Sequence, residues 1–177
     1  MERTLIFLLD RSGSMEICRD DTIGGFNSFV SDQKTIGGRM TLVQFDHEIQ
    51  EVYTDMTLDK IDPLTARTYS PRGSTALLDA IGKTIKKHTD KTGVVFIIQT
   101  DGQENGSTTY TRAHVKDLVE QKTADGWVFM YLGANQDAFT EAGGLGLAGA
   151  NTFNYDVRNT PGAFRALSQT VSQQASI

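Results

Sequence analysis

The sequence predicts an α/β fold, because continuously apolar strands alternate along the chain with segments of helical periodicity. Three runs are continuously apolar, at Leu5–Leu9, Val94–Ile98 and Trp127–Leu132. A strand that is covered on one face alternates apolar and polar residues, whereas an unbroken apolar run is typical of a strand covered on both faces. The sequence therefore predicts a doubly wound, largely parallel sheet with helices on both of its faces.

The remaining elements of the first half follow from the same patterns. Thr22–Lys34 is expected to contain a helix with an apolar face. Met40–Phe45 and Ile49–Tyr53 predict a hairpin, and its second arm is polar enough to be an exposed edge strand. A second helix is predicted at Ala76–His88, where apolar residues recur at helical spacing.

The second half is predicted to continue the alternation of strands and helices. Val94–Leu132 is expected to form one βαβ unit, since helical spacing separates its two apolar runs. A short helix is expected around Asp137–Ala142, and Asn151–Tyr155 is expected to form the last strand. The apolar residues Phe164, Leu167 and Val171 predict a C-terminal helix.

Length, charge and cysteine content limit the classes of protein that fit. A chain of 177 residues is expected to form a single domain, spanning residues 1–177. The net charge of −5 argues against a nucleic-acid binder, which usually presents a basic face. A single cysteine excludes an internal disulfide framework. The N-terminal apolar run, Leu5–Leu9, is too short for a signal peptide or a membrane span. We therefore expect a cytoplasmic protein that contacts neither nucleic acid nor membrane.

Polar residues follow the predicted strands at the edge where open α/β sheets bind ligands. Asp10, Ser12 and Ser14 follow the first apolar run, and Thr100-Asp101-Gly102 follows the second. A third polar loop, Gly73-Ser74-Thr75, precedes the helix predicted at Ala76. These loops supply carboxylates and hydroxyls without thiolate or imidazole, and such oxygen ligands suit Mg²⁺ first, then Mn²⁺ or Ca²⁺.

These three segments together resemble the metal-ion-dependent adhesion site of von Willebrand factor A domains. Asp10-x-Ser12-x-Ser14, Thr75 within Gly-Ser-Thr-Ala-Leu, and Asp101-Gly102 occur in the order in which that family carries them. The resemblance extends from Glu2 to the last helix. It implies a six-stranded sheet in the order 3-2-1-4-5-6, in which the hairpin arm is the only antiparallel strand.

The resemblance also implies roles for five residues. The hydroxyls of Ser12, Ser14 and Thr75 would contact the metal, and Asp10 and Asp101 would act directly or through water. The metal would keep one open position for an Asp or Glu of a partner protein. We therefore expect a Mg²⁺-dependent protein-binding module rather than an enzyme, of bacterial or phage origin, working in a stress-response or assembly complex.

Two other functions stay open at the level of sequence. A metal-dependent phosphoester hydrolase could use Glu104 or Asp79 as its base. A scaffold could homo-oligomerise through the edge strand around Glu48–Thr54. The oligomeric state is therefore undecided by the sequence.

Two further signals are set aside. Gly144–Gly149 matches G-x-G-x-x-G, but a dinucleotide site requires this motif to follow a strand and open a helix. A turn-rich packing segment explains it better. His47, His88 and His114 are scattered and show no metal-ligand spacing.

Overall fold

Six strands form one sheet in the computed structural model, which describes residues 2–101, 104–134, 137–147 and 149–174, without the side chain of Ala150. The strands are β1 (Thr4–Asp10), β2 (Arg39–Phe45), β3 (Ile49–Thr57), β4 (Val94–Thr100), β5 (Val128–Ala134) and β6 (Thr152–Tyr155). They lie in the order β3-β2-β1-β4-β5-β6, and only the β2–β3 pair is antiparallel. The expected strand order and the antiparallel edge are confirmed.

Five α-helices lie in the described part of the chain, and they cover both faces of the sheet. They are α1 (Arg19–Lys34), α2 (Leu77–Lys87), α3 (Arg112–Ala124), α4 (Ala138–Gly144) and α5 (Thr160–Gln174). None of the helices in the described part of the chain is both long and apolar enough to cross a membrane.

The central strand β1 shows why its sequence lacks alternation. Leu5, Phe7 and Leu9 pack into the apolar cluster beneath α1 and α5, whereas Ile6 and Leu8 pack into the cluster beneath α2 and α3. Since side chains alternate between the faces of a strand, a sheet covered on both sides requires apolar residues at every position. The unbroken apolar sequence of β1 thus reflects the helices that cover both faces of the sheet.

Helix α1 starts three residues before the predicted Thr22, at Arg19, and a 3-10 turn precedes it at Gly13–Cys18. Gly24 and Gly25, both inside the helix, lower its intrinsic propensity and weaken the sequence signal near its start. Gly25 is needed for packing, since a Cβ there would overlap the Phe164 ring of α5.

The edge strand β3 extends to Thr57, beyond the predicted end at Tyr53, and it is irregular. Its register against β2 shifts near Leu42, and Asp55 adopts a positive φ of 51°. The Asp55 N–H donates to the Thr41 hydroxyl at 2.9 Å, and its carbonyl accepts from Arg39. The bulge interrupts the alternation of buried and exposed side chains that marks a strand. The sequence pattern therefore did not predict the second half of β3.

The G-x-G-x-x-G segment at Gly144–Gly149 begins at the last residue of α4 rather than after a strand. Leu145 and Leu147 are buried in the cluster beneath α2 and α3, and Ala148 lies outside the described residues. The described part of the segment thus packs against the core.

Candidate metal centre

Asp10 closes β1 at the centre of the sheet and has no exposed surface. Its Oδ1 accepts the Ser12 N–H at 2.7 Å, and its Oδ2 accepts the Thr100 hydroxyl at 2.7 Å. Its backbone carbonyl accepts the Tyr69 hydroxyl at 2.6 Å. These contacts fix the carboxylate between the ends of β1 and β4, where the strand order reverses and α/β folds bind ligands.

Asp101 follows β4 and lies beside Asp10. Its N–H lies 3.4 Å from Asp10 Oδ2, and its own Oδ1 is buried without a hydrogen-bond partner among the described residues. Burial, followed by the negative charge of Asp101, raises the pKa of Asp10 to about 6. Neither carboxylate forms a salt bridge with a described residue. The pair therefore concentrates negative charge that favours a cation.

The hydroxyl-bearing residues Ser12 and Ser14 lie on the loop that leaves β1. Their Oγ atoms are 3.2 Å apart; Ser12 is buried, whereas Ser14 is exposed. Since the Ser12 backbone is tied to Asp10, these two hydroxyls and one carboxylate form a single cluster. One side of this cluster is open to solvent at Ser14.

Thr75 lies just before α2, on the loop that packs against the Ser12–Ser14 loop. The Gly13 N–H donates to the Gly73 carbonyl at 3.0 Å, and the Arg72 N–H donates to the Arg11 carbonyl at 2.8 Å. Thr75 itself is buried. The structure thus brings the five sequence-predicted residues to one edge of the sheet, although Gly102 lies outside the described residues.

A fully buried carboxylate that sequence analysis missed, Asp46, joins two of these loops. It follows β2, and its Oδ2 accepts from Arg11 Nε at 3.1 Å and Arg72 Nε at 2.8 Å. Its carbonyl accepts the Ala76 N–H at 2.8 Å. Burial alone would raise the pKa of Asp46, but the Glu48 N–H, Arg72 and Arg11 outweigh burial and lower it. Asp46 therefore holds the loop of Ser12 against the loop of Thr75.

Asp46, His47 and Glu48 form a group whose potential ligand atoms lie within 4.8 Å of one another. The sequence analysis found no metal-ligand pattern around His47, because the conformation of the hairpin turn decides whether these three adjacent side chains point to one place. Arg72 already bonds both acids, at 2.8 Å to Asp46 and 2.8 Å to Glu48. The carboxylates of this group are thus neutralised from within the chain.

The two carboxylates considered as hydrolase bases have structural partners. Asp79 accepts the backbone N–H groups of Thr108, Thr109 and Tyr110 at 2.8 to 3.1 Å. Burial opposes these bonds, but they lower the pKa of Asp79. Glu104 accepts from the Leu78 N–H at 3.2 Å and from the Ser107 hydroxyl. Asp79 in particular is stabilised as an anion, which makes it a weak base.

Solved structures similar to this chain share its fold at low sequence identity. The von Willebrand factor domain of the type V pili tip protein Mfa5 from Porphyromonas gingivalis has a TM-score of 0.72 at 14% identity, covering 97% of this chain and 95% of that one. BatB, a conserved hypothetical protein from Bacteroides thetaiotaomicron, has a TM-score of 0.65 at 17% identity, covering 99% and 100%.

A third similar structure holds a metal. Proximal thread matrix protein 1 from the mussel byssus, solved with zinc in its metal-ion-dependent adhesion site, has a TM-score of 0.67 at 14% identity. The match covers 97% of this chain and 48% of that protein, so this chain spans about half of its length. No curated protein sequence matches the chain. Residues 4–170 match the family of von Willebrand factor type A domains. On the strength of that match, the chain belongs to the von Willebrand factor type A domain family.

Proposed function

We propose that this domain is a metal-dependent protein-binding module whose metal lies between Asp10 and Asp101. The supporting observation is the pair of carboxylates at the strand-order reversal, with an unpartnered Oδ1 on Asp101 and no salt bridge within the described chain. Ser12, Ser14 and Thr75 would supply hydroxyl oxygens to the same ion. Family membership and the zinc-bound relative agree with this assignment.

We propose Mg²⁺ as the ion, with Mn²⁺ or Ca²⁺ as substitutes. The proposed donors are hydroxyl and carboxylate oxygens, which hard cations prefer over nitrogen and sulfur. Cys18 is buried at the end of the 3-10 turn, with its thiol hydrogen-bonded to the Met15 carbonyl at 3.5 Å. Its burial and local bond leave the thiol no role as a ligand.

The proposed partner is a protein that offers an Asp or Glu side chain to the metal. Two carboxylates and neutral hydroxyls leave a divalent ion electrophilic enough to attract a further carboxylate. The exposed position of Ser14 gives such a side chain access from solvent. We place the module in the cytoplasm as a single domain of residues 1–177, in a bacterial or phage stress-response or assembly complex.

The test is thermal unfolding with Mg²⁺ and with a chelator. Preferential binding to the folded state adds about 2.7 kcal/mol at a Mg²⁺ concentration 100 times Kd. Asp10→Ala should abolish the metal-dependent rise in Tm. Asp20→Ala is the matched control, because Asp20 is an exposed acid paired with Arg19 outside the proposed ligand set. An unchanged wild-type Tm at millimolar Mg²⁺ would contradict the proposal.

The partner is tested separately by affinity capture with wild type and Asp10→Ala. A partner that binds through the metal is retained by wild type in Mg²⁺ and lost with the chelator or with Asp10→Ala. A partner retained equally in all three conditions binds elsewhere and contradicts the carboxylate bridge.

A further inference from the structure

Both backbone polar groups of Thr75 are hydrogen-bonded to a short segment downstream of Asp101. The Thr75 N–H donates to the Asn105 side-chain oxygen Oδ1 at 2.8 Å. The Thr75 carbonyl accepts the N–H of Asn105 at 3.0 Å and the N–H of Gly106 at 2.9 Å. Asn105 therefore hydrogen-bonds both the N–H and the carbonyl of Thr75, although the two residues are 30 positions apart in sequence.

Gly106 allows this close approach. A Cβ at position 106 would lie 3.1 Å from the Ser74 Oγ and 3.3 Å from the backbone carbonyl carbon and oxygen of Thr75. Such contacts are tighter than ordinary van der Waals packing, so a larger residue would push the two segments apart. The strand-to-helix loop of Thr75 is thus in direct backbone contact with the segment that follows Asp101.

Five further hydrogen bonds anchor residues 104–110 to the start of α2. Glu104 accepts the Leu78 N–H at 3.2 Å, and the Ser107 hydroxyl accepts the Asp79 N–H at 2.9 Å. Asp79 in return accepts the N–H groups of the next residues, from Thr108 to Tyr110. The bonds from the Leu78 and Asp79 N–H groups satisfy donors that the first turn of a helix leaves without partners. They hold Asn105 in place independently of any metal.

We infer that Asn105 is a positioning residue that sets the Thr75 hydroxyl relative to Asp101, an inference that rests on the proposed metal site. Asn105 need not touch the ion, because its bonds go to the Thr75 backbone. Fixing the Thr75 backbone fixes the Cα–Cβ bond that carries the hydroxyl, and so the position from which the hydroxyl can reach an ion. Residues that orient metal ligands in this way contribute to affinity, and their loss typically weakens binding about 10- to 100-fold.

The test compares Mg²⁺ affinity, measured by titration calorimetry, in wild type and three variants. Asn105→Ala removes the acceptor of the Thr75 N–H and should raise Kd at least roughly 10-fold. Asn105→Asp keeps an acceptor oxygen in the same place and should bind Mg²⁺ at least as tightly as wild type.

Asn27→Ala is the matched control. Asn27 of α1 also bonds both backbone polar groups of a distant residue, here through its side chain alone, at 2.8 Å to the Leu64 N–H and 3.0 Å to the Leu64 carbonyl. Its side-chain hydrogen bonds go to Leu64 and not to the five proposed metal residues, so its loss should change stability without changing Kd. Equal weakening in Asn27→Ala and Asn105→Ala would overturn the inference, because general destabilisation would then explain both. An unchanged Kd in Asn105→Ala would overturn it as well.

A metal-free measurement separates this inference from the proposed function. Amide hydrogen exchange at Thr75 should accelerate in Asn105→Ala and stay slow in Asn105→Asp, with chelator present throughout. If wild type binds no Mg²⁺, the proposed function fails whatever the exchange rates are. If wild type binds Mg²⁺ and the Thr75 amide is equally protected in all variants, only the positioning role of Asn105 fails.

Discussion

Two fully buried carboxylates lie at the ends of neighbouring strands and meet opposite electrostatic environments. Asp10 ends β1 beside Asp101, and its pKa is raised to about 6 by burial and by that second carboxylate. Asp46 follows β2, and its pKa is lowered because Arg11 and Arg72 outweigh the effect of burial. The fold neutralises one buried charge with its own arginines and gives the other no salt bridge among the described residues.

Arg11 shows how differently the two carboxylates, Asp10 and Asp46, are surrounded. It is the immediate neighbour of Asp10 in sequence, yet its guanidinium bonds Asp46 at 3.1 Å and the Gln50 side chain at 2.7 Å. Successive residues leaving a strand point in different directions, so adjacency along the chain does not make an ion pair. The arginine inside the motif therefore serves the structural carboxylate rather than the proposed metal site.

The largest expected effect comes from removing the neutralised carboxylate. Asp46→Ala leaves Arg11 buried without its anion, and breaking a buried pair costs about 3 kcal/mol. In a chain of this size that lowers Tm by roughly 6 to 12 °C. Chemical denaturation measures the loss. Asp125→Ala, which removes an exposed acid 3.5 Å from Lys122, is the control and should change stability by about 0.5 kcal/mol or less.

Removing the charge of Asp10 is expected to change stability in the opposite direction. Asp10→Asn removes the repulsion with Asp101 while keeping the shape of the side chain, so the metal-free protein should be stabilised by about 1 kcal/mol. The same variant should lose its response to Mg²⁺. Denaturation in chelator and in Mg²⁺ measures both effects, and a destabilised metal-free variant would show that the pair is not strained.

A smaller effect is expected in acid. Because the folded-state pKa of Asp46 lies below its unfolded value, near 3.9, its stabilisation is complete above that pH. It is lost as the pH falls through the lower, folded-state value. The stability of Asp46→Asn should therefore fall less steeply than that of wild type below about pH 4. Urea denaturation at several acidic pH values checks this, and parallel curves would contradict it.

The smallest effect is expected at the group formed by Asp46, His47 and Glu48. Arg72 already bonds both of its acids, so His47→Ala should leave the Mg²⁺ affinity within about a factor of two of wild type. Calorimetric titration measures it. A clear loss of affinity would move the proposed metal site from Asp10 to the hairpin turn.

The sequence revealed those parts of the molecule whose signals are local. The apolar run of β1 reports burial on both faces, and Asp10, Ser12 and Ser14 fall within five residues, so both could be read directly. Their assignment as metal ligands remains a prediction. Fold and strand order also followed from the family resemblance, and the structure confirmed them.

The supporting contacts could not be predicted, because they join distant positions. Arg11 and Asp46 are 35 residues apart, and Asn105 and Thr75 are 30 apart. Neither pair lies in a periodic pattern, and each depends on loop conformations that only the assembled sheet determines. The same holds for the second half of β3, where the backbone of Asp55 interrupts the alternation.

The irregular backbone at Asp55 also limits the addition of a further strand to the edge strand β3. An added strand could hydrogen-bond to β3 only as far as the bulge, where Asp55 turns the backbone and its side chain pairs with Lys91 at 3.2 Å and Arg39 at 3.3 Å. Charged side chains and an irregular backbone on an edge strand disfavour edge-to-edge pairing of identical copies. Pairing of identical copies along β3 should therefore be confined to the residues before Asp55.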